Sequence, residues 1–388
     1  MKVKSQTSNV KSLLVGYAIA SIALFLYSFT QVDLSLTLSS SSWLQTIQKS
    51  FQYVGFFERP TSTALFVGII GFWFVLYALA LRRAHRGLLG LSSIWKIVGV
   101  VTILLILSYP AFSYDLFNYI FTAKTVLIYH KNPYEVIPLQ FAGIDPLVAV
   151  MRWTHLPSAY TPAWILLTLP AYLLGFGKMV FVIWNLKLFV ALFYLLAVRG
   201  VKKVLEKVDP ARIPLGVAIF ALNPLVIIES LVSAHNDIVM VALSVWAILL
   251  LLEQKYISSW VVLSFSVAIK LMTITLAPIF IAAKYMADWR KWSLIALGIG
   301  FLMVLSRREP LPWYWIWFMP FIAFYPSRWW LTTLSTWYAF ALLLRYAPYL
   351  YYGNWNAPVP ILKWWVTIVP IIVALGIIGM GKMKAWSK

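Results

Sequence analysis

Only 12 Asp and Glu side chains occur in 388 residues, so their positions carry information. Most lie in polar stretches, but Asp115, Glu229 and Asp237 stand at the ends of apolar runs, where an ionised carboxylate is costly unless it faces water or a partner. Asp115 sits in Ser113-Tyr114-Asp115-Leu116-Phe117-Asn118-Tyr119, after a long apolar run and before an amphipathic one. Two roles fit it. Asp is among the best helix N-caps, and a carboxylate whose surroundings raise its pKa is a competent general base for a hydroxyl nucleophile. The roles are compatible, since a cap still presents its second oxygen. In Ala234-His235-Asn236-Asp237, Asn236 or Asp237 can equally cap the next helix, while His235 is either a structural hydrogen-bonder or a substrate contact. Glu229 belongs near the same end and can pair with a cation such as Arg152 or Arg308.

Lys270 is the least expected cation, because it interrupts an apolar stretch. It either snorkels to an interface or contacts a phosphate deep in the protein. Arg152, His155, Arg307 and Arg308 are further cations able to hold an anionic head group. Trp313-Tyr314-Trp315 with Trp317 reads either as a membrane-surface aromatic belt or as a platform for a sugar ring.

The elements that must position these residues are membrane helices. The chain is 62% hydrophobic and 11% charged, whereas soluble domains are about 45–50% apolar. It reads as an all-α integral membrane protein forming a single polytopic domain over residues 1–388. The net charge of +20 would suggest nucleic acid in a soluble chain. Here the basic residues fall in short loops, so they are topology signals and contacts for anionic lipid. No cysteine is present, which excludes a disulfide framework and thiolate metal sites, and four histidines argue against a His-rich site. No cofactor is expected; a divalent cation has a place only if Asp115 and Asp237 converge.

The positive-inside rule orders the runs. Residues 13–29 cross outward as a retained first span behind Lys2, Lys4 and Lys11, and 63–81 return to Arg82-Arg83-Ala84-His85-Arg86 on the cytoplasmic side. Residues 94–112 cross outward again, which puts Asp115 on the outer face. Residues 116–129 have the spacing of a helix lying in the interface, 162–174 are too short for a full span, and 257–283 form a hairpin broken at Lys270. Single crossings are expected over 180–198, 213–231, 238–252, 294–305, 313–325, 329–344 and 361–380. The sum is about ten full spans plus half-spans, with both termini cytoplasmic and the membrane a plasma membrane. Residues 1–93 supply two N-terminal spans, 94–325 a core with its outer loop at 113–160, and 326–388 the C-terminal spans.

The order of Tyr114-Asp115-Leu116-Phe117-Asn118-Tyr119, Asn132-Pro133-Tyr134, Tyr160-Thr161-Pro162, Ala234-His235-Asn236-Asp237, Lys270 and Pro312-Trp313-Tyr314 resembles the GT-C superfamily of polytopic glycosyltransferases. It is most like the prokaryotic polyprenol-phosphate-mannose-dependent alpha-mannosyltransferases. The resemblance implies a GT-C-like fold and an inverting transfer of a sugar, mannose by analogy, from a polyprenyl-phosphate-sugar to a hydroxyl of a lipid-linked or cell-envelope glycan. Asp115 would be the base. Tyr114, Tyr119, Tyr160, Glu229, His235, Asn236, Asp237, Trp313 and Tyr314 would line the substrate cavity. Arg152, His155, Lys270, Arg307 and Arg308 would meet phosphate or lipid. A transporter or flippase of lipid-linked sugars is the alternative, disfavoured because no internal repeat is evident and the polar residues gather on one face.

Overall fold

The computed structural model describes residues 2–282 and 288–386, with side chains over 11–282 and 288–380. Lys284 and Lys388 lie outside the described residues, as do the side chains of Lys2, Lys4, Lys382 and Lys384. The described chain is all helical. In order run α1 (Lys2–Thr30), α2 (Ser42–Phe56), α3 (Arg59–His85), α4 (Leu91–Ile106) and α5 (Asp115–Leu127). An irregular stretch with two 3-10 turns leads to α6 (Pro162–Leu173), α7 (Met179–Val208), α8 (Ile213–Ala221) and α9 (Pro224–Ile227). Then come α10 (Asp237–Leu252), α11 (Tyr256–Ile269), α12 (Ala277–Ala282), α13 (Trp289–Leu305) and α14 (Met319–Ala323). The last three are α15 (Trp329–Leu344), α16 (Tyr346–Tyr352) and α17 (Val359–Trp386).

Four helices are long and apolar enough to cross a membrane: Lys11–Thr30 of α1, α3, α7, and Val359–Met380 of α17. A fifth span results if Pro210–Ala221 and Pro224–Val232, bent by 55°, count as one. Several other apolar helices run 10–17 residues, short of the ~20 that cover a bilayer core.

Two expected single crossings are broken. Residues 213–231 divide at Asn223-Pro224, because proline cannot donate into the preceding helix. The backbone freed there is satisfied internally: Tyr77 and Tyr194 donate to the carbonyls of Ile219 (2.8 Å) and Ala221 (2.6 Å), and Asn223 Oδ1 accepts from the Leu225 amide (3.0 Å). Residues 313–325 form most of a 3-10 turn over Pro312–Trp317 followed by the short α14, with Pro320 interrupting the run. The third break is the expected one at Lys270, which is extended (φ −158°, ψ 128°) between α11 and the 3-10 turn Leu271–Leu276. Thr161, the N-cap of α6, donates to the carbonyl of Ile269 at that break (3.1 Å).

Helix α5 has the expected amphipathic pattern but is enclosed by protein, with Leu116 through Ala123 all buried. The irregular stretch folds over it and is fastened there. Lys124 pairs with Asp145 (2.7 Å), to which the Tyr129 hydroxyl also donates (3.0 Å). The Tyr134 hydroxyl donates to the Tyr160 carbonyl (2.7 Å).

The turn from α4 to α5 is anchored by a residue the pattern of charges conceals. Lys187, in the middle of α7, is completely buried. Its amine makes hydrogen bonds with the Leu105 carbonyl (2.9 Å), with the Ser108 carbonyl and with Ser108 Oγ (2.7 Å), so the carbonyls left open at the end of α4 find a donor. Ser28 on α1 accepts from the Tyr109 amide (3.0 Å) in the same turn. Lys187→Met keeps the stem but leaves these acceptors without a donor, a cost of about 1–3 kcal/mol. The variant should unfold at a lower temperature than wild type in detergent; an unchanged melting temperature would show that the lysine does not anchor the turn.

Candidate functional site

Asp115 is the first residue of α5, one position past the N-cap Tyr114, so its carboxylate is not the helix cap. Ser113 Oγ accepts from the Asp115 amide instead (3.2 Å), which leaves the side chain free to face His235. The separation from Asp115 Oδ2 to His235 Nδ1 is 3.3 Å, and on the far side of the ring Glu229 Oε2 lies 3.2 Å from Nε2. Neither ring nitrogen makes an aligned hydrogen bond. Charge, together with stacking on Trp313 (centroids 4.0 Å apart, 23° between planes), holds the imidazole.

His235 reaches this position through unusual backbone. Residues Ile228–Val232 form a π-turn, the His235 amide donates to the Glu229 carbonyl (2.9 Å), and Ala234 adopts φ 55°. A left-handed alanine is strained, and such residues survive where the surroundings over-determine them. Burial opposes protonation of His235, but Asp115 and Glu229 outweigh it and push its pKa up to about 9. Burial likewise opposes ionisation of Asp115, yet the contact with His235, the charges of His235 and Lys270, and the Tyr160 hydroxyl hold its carboxyl below the usual value. The expectation of a raised Asp115 pKa is therefore corrected: a charged neighbour outweighs burial.

A second pair stands beside the first. Lys270 Nζ donates to both oxygens of the buried Asp237 (2.9 and 2.8 Å), and Trp317 Nε1 donates to Oδ1 (2.5 Å). Asp237 is thus neither a helix cap nor free for a sugar hydroxyl. Lys270 remains about one-third exposed.

Asp115, Asn118, Tyr160, Asn236, Lys270, Arg308, Trp313, Tyr314 and Trp317 line one cavity of about 840 Å³. Positions 115, 118, 122 and 125 all face it, so it runs along one stripe of α5. A more open, apolar groove of about 610 Å³ lies next to it, between α6 and α11, and shares Thr161 and Leu271 with it.

Other expected residues go elsewhere. Tyr119 is buried against Tyr160 and Trp164, and its hydroxyl accepts from the Asn236 amide (3.5 Å). Tyr114 donates to Asp33 (3.5 Å), and Arg152 stacks over the Tyr114 ring (4.4 Å) with Asp33 3.7 Å away. Arg152 therefore braces the irregular stretch after α5 against the segment that follows α1 and does not line the cavity. His155 and Arg307 are exposed and do not line it either. Glu229, fully buried, does not pair with Arg152 or Arg308; its partners are His235 and the Tyr346 hydroxyl (3.0 Å). Tyr346 and Asp33 had no sequence signal, whereas Trp317 belongs to the aromatic run and holds Asp237 there. Among the described residues no group of three or more His, Cys, Asp or Glu side chains could hold a metal ion, because Asp115 and Glu229 face opposite sides of the His235 ring.

Residues 15–287 match the model of the MptA_B family, described as alpha-(1->6)-mannopyranosyltransferase, N-terminal domain. The chain belongs to this family. It is accordingly a membrane-embedded mannosyltransferase of the GT-C type, with a sugar donor and a glycan acceptor as its general substrates. No curated protein and no solved structure matches the chain. The matched segment contains Asp115, Glu229, His235, Asp237 and Lys270, whereas Trp313, Trp317 and Tyr346 lie beyond it.

Breaking the second ion pair from one side should show its weight. Lys270→Met leaves the Asp237 charge buried with one donor, and should destabilise the fold by up to ~3 kcal/mol, the low end for a buried pair because Lys270 is partly exposed. Lys270→Met/Asp237→Asn should recover most of that stability in thermal unfolding and none of the transfer activity. Recovery of both would make the pair purely structural.

Proposed function

We propose that this mannosyltransferase is an inverting enzyme whose donor is a polyprenyl-phosphate-mannose, that Asp115 is its general base, and that its site faces the outer side of the plasma membrane. The observation that carries this reading is one cavity lined by a carboxylate and two cations, Asp115 with Lys270 and Arg308, next to an apolar groove. A lipid monophosphate needs both environments: fixed cations for its head group and an apolar channel for its tail.

In the proposed reaction the acceptor hydroxyl attacks the anomeric carbon as the carbon–oxygen bond to phosphate breaks. The hydroxyl proton passes to Asp115, and Lys270 and Arg308 balance the charge gained by the departing polyprenyl phosphate. A carboxylate of lowered pKa is a weak base but is ionised at any working pH. It suffices where the proton leaves late, after attack has made the hydroxyl acidic. Inversion that yields an α-linkage requires a β-linked donor. Trp313 and Tyr314 offer ring faces to the sugar, and Asn236 an amide to its hydroxyls. The placement of Asp115 outside, with both termini cytoplasmic, follows from the basic loops. On this reading the shorter apolar helices combine into further crossings, toward the expected total of about ten.

The test is transfer from β-linked polyprenyl-phosphate-mannose to a mannoside acceptor by purified protein. Asp115→Asn should lose about 10²–10⁴-fold in kcat while folding normally. Unchanged transfer by folded Asp115→Asn would remove the base assignment, and equal activity with a nucleotide-linked mannose donor would remove the lipid-phosphate assignment.

A further inference from the structure

We propose that Glu229 and Tyr346 are positioning residues for mannosyl transfer: Tyr346 holds Glu229 against the far nitrogen of His235, Glu229 keeps that ring charged, and the charged ring fixes the Asp115 carboxylate. The inference rests on the role proposed for Asp115. It assigns Glu229, which sequence reasoning places among the substrate contacts, to a task carried out behind the site.

The proton inventory of the ring requires a charge. A neutral imidazole carries one N–H, so it can face one carboxylate as a donor but must present a lone pair to the other. His235 has a carboxylate at each nitrogen, Asp115 at 3.3 Å and Glu229 at 3.2 Å. With both carboxyls ionised, only the two-proton form suits both. The titratable and charged groups around it are these two carboxylates, then Tyr346 on Glu229, Tyr160 and Lys270 on Asp115, and Asp237 paired to Lys270. Trp313 covers the ring face and does not titrate.

Glu229 has no access to the cavity, so it can neither touch substrate nor pass a proton to water. The acceptor proton stays on Asp115 and returns to the cavity, and His235 keeps both of its own. The strained segment from the π-turn to Ala234 aims Glu229 and His235 at each other, as expected where backbone geometry serves a site.

Tyr346 ties the two ends of this arrangement together. Its hydroxyl donates to Glu229 Oε1 at 3.0 Å, and its ring stacks on Phe112 (centroids 5.3 Å apart, 28°), three residues before Asp115. The preceding Arg345 fixes α16 in place through Glu309 (2.5 Å) and Thr367 of α17 (2.9 Å). The last part of the chain, outside the segment matched by the family, thereby completes the catalytic end of the core.

The experiment reads His235 directly. Full-length protein labelled with ¹⁵N-histidine is placed in lipid nanodiscs, and the His235 signal, one of four, is assigned by its loss in His235→Gln. The wild-type ring should carry two protons at neutral pH and titrate near 9. In Glu229→Gln that titration should fall by about one unit or more, and in Tyr346→Phe by less. The alkaline limb of kcat should move with the NMR titration, and the donor KM should stay within about twofold, since neither residue meets substrate. A wild-type ring with one proton at neutral pH overturns the proposal, as does a Glu229→Gln titration equal to wild type. The NMR signal does not depend on turnover, so an incorrect donor or base assignment would appear in the transfer assay and leave this result intact.

Discussion

An ionised side chain inside a helical membrane bundle is stable only with a partner a few ångströms away, and this condition organises the molecule. Asp115 and Glu229 share His235, Asp237 meets Lys270, and Glu309 meets both Arg345 and Lys363. All of these contacts except that of Glu229 with His235 join segments far apart in sequence. Removing Lys270, for example, leaves the buried Asp237 charge with the Trp317 N–H alone, so such contacts tie helices together as well as shaping the site.

The cross-links stand where helices are broken. Asn223-Pro224, Lys270 and Pro320 each interrupt an apolar run, and a break exposes backbone that the bundle must satisfy. Tyr77, Tyr194 and Thr161 donate to the freed carbonyls. The cavity opens among the broken pieces, because continuous helices would pack side against side and leave no room for a polar site. The candidate site is thus a consequence of where the helices fail to continue.

Rare charges in an apolar chain are easy to see, so Asp115, His235, Asp237 and Lys270 were legible as a group, as was the break at Lys270. Their partners were not, since a pairing such as Lys270 with Asp237 spans 33 positions and leaves no local trace. The end of an apolar run marks a carboxylate as unusual without saying which way it faces, and so Glu229 looked like a substrate contact when it is sealed behind His235. Lys187 was hidden for a related reason: hydropathy averages over a long apolar helix, and one lysine barely alters the mean. Arg152 was read as a free outer cation because Asp33, its partner, lies in a segment with no apparent link to it. Periodicity located residues 213–231 and 313–325 as apolar but could not weigh the prolines that divide them.

The stretch that covers α5 is secured by Lys124 and Asp145, by Tyr129 on the same carboxylate, and by Tyr134 on the Tyr160 carbonyl. A cover fastened along its length leaves the flank as the approach, where the apolar groove between α6 and α11 adjoins the cavity at Thr161 and Leu271. On the proposed reading the donor then arrives by travelling within a sheet of lipid and never through bulk water. Saturation becomes a matter of how many donor molecules there are per lipid, and diluting the bilayer with inert lipid slows the enzyme at constant donor per litre.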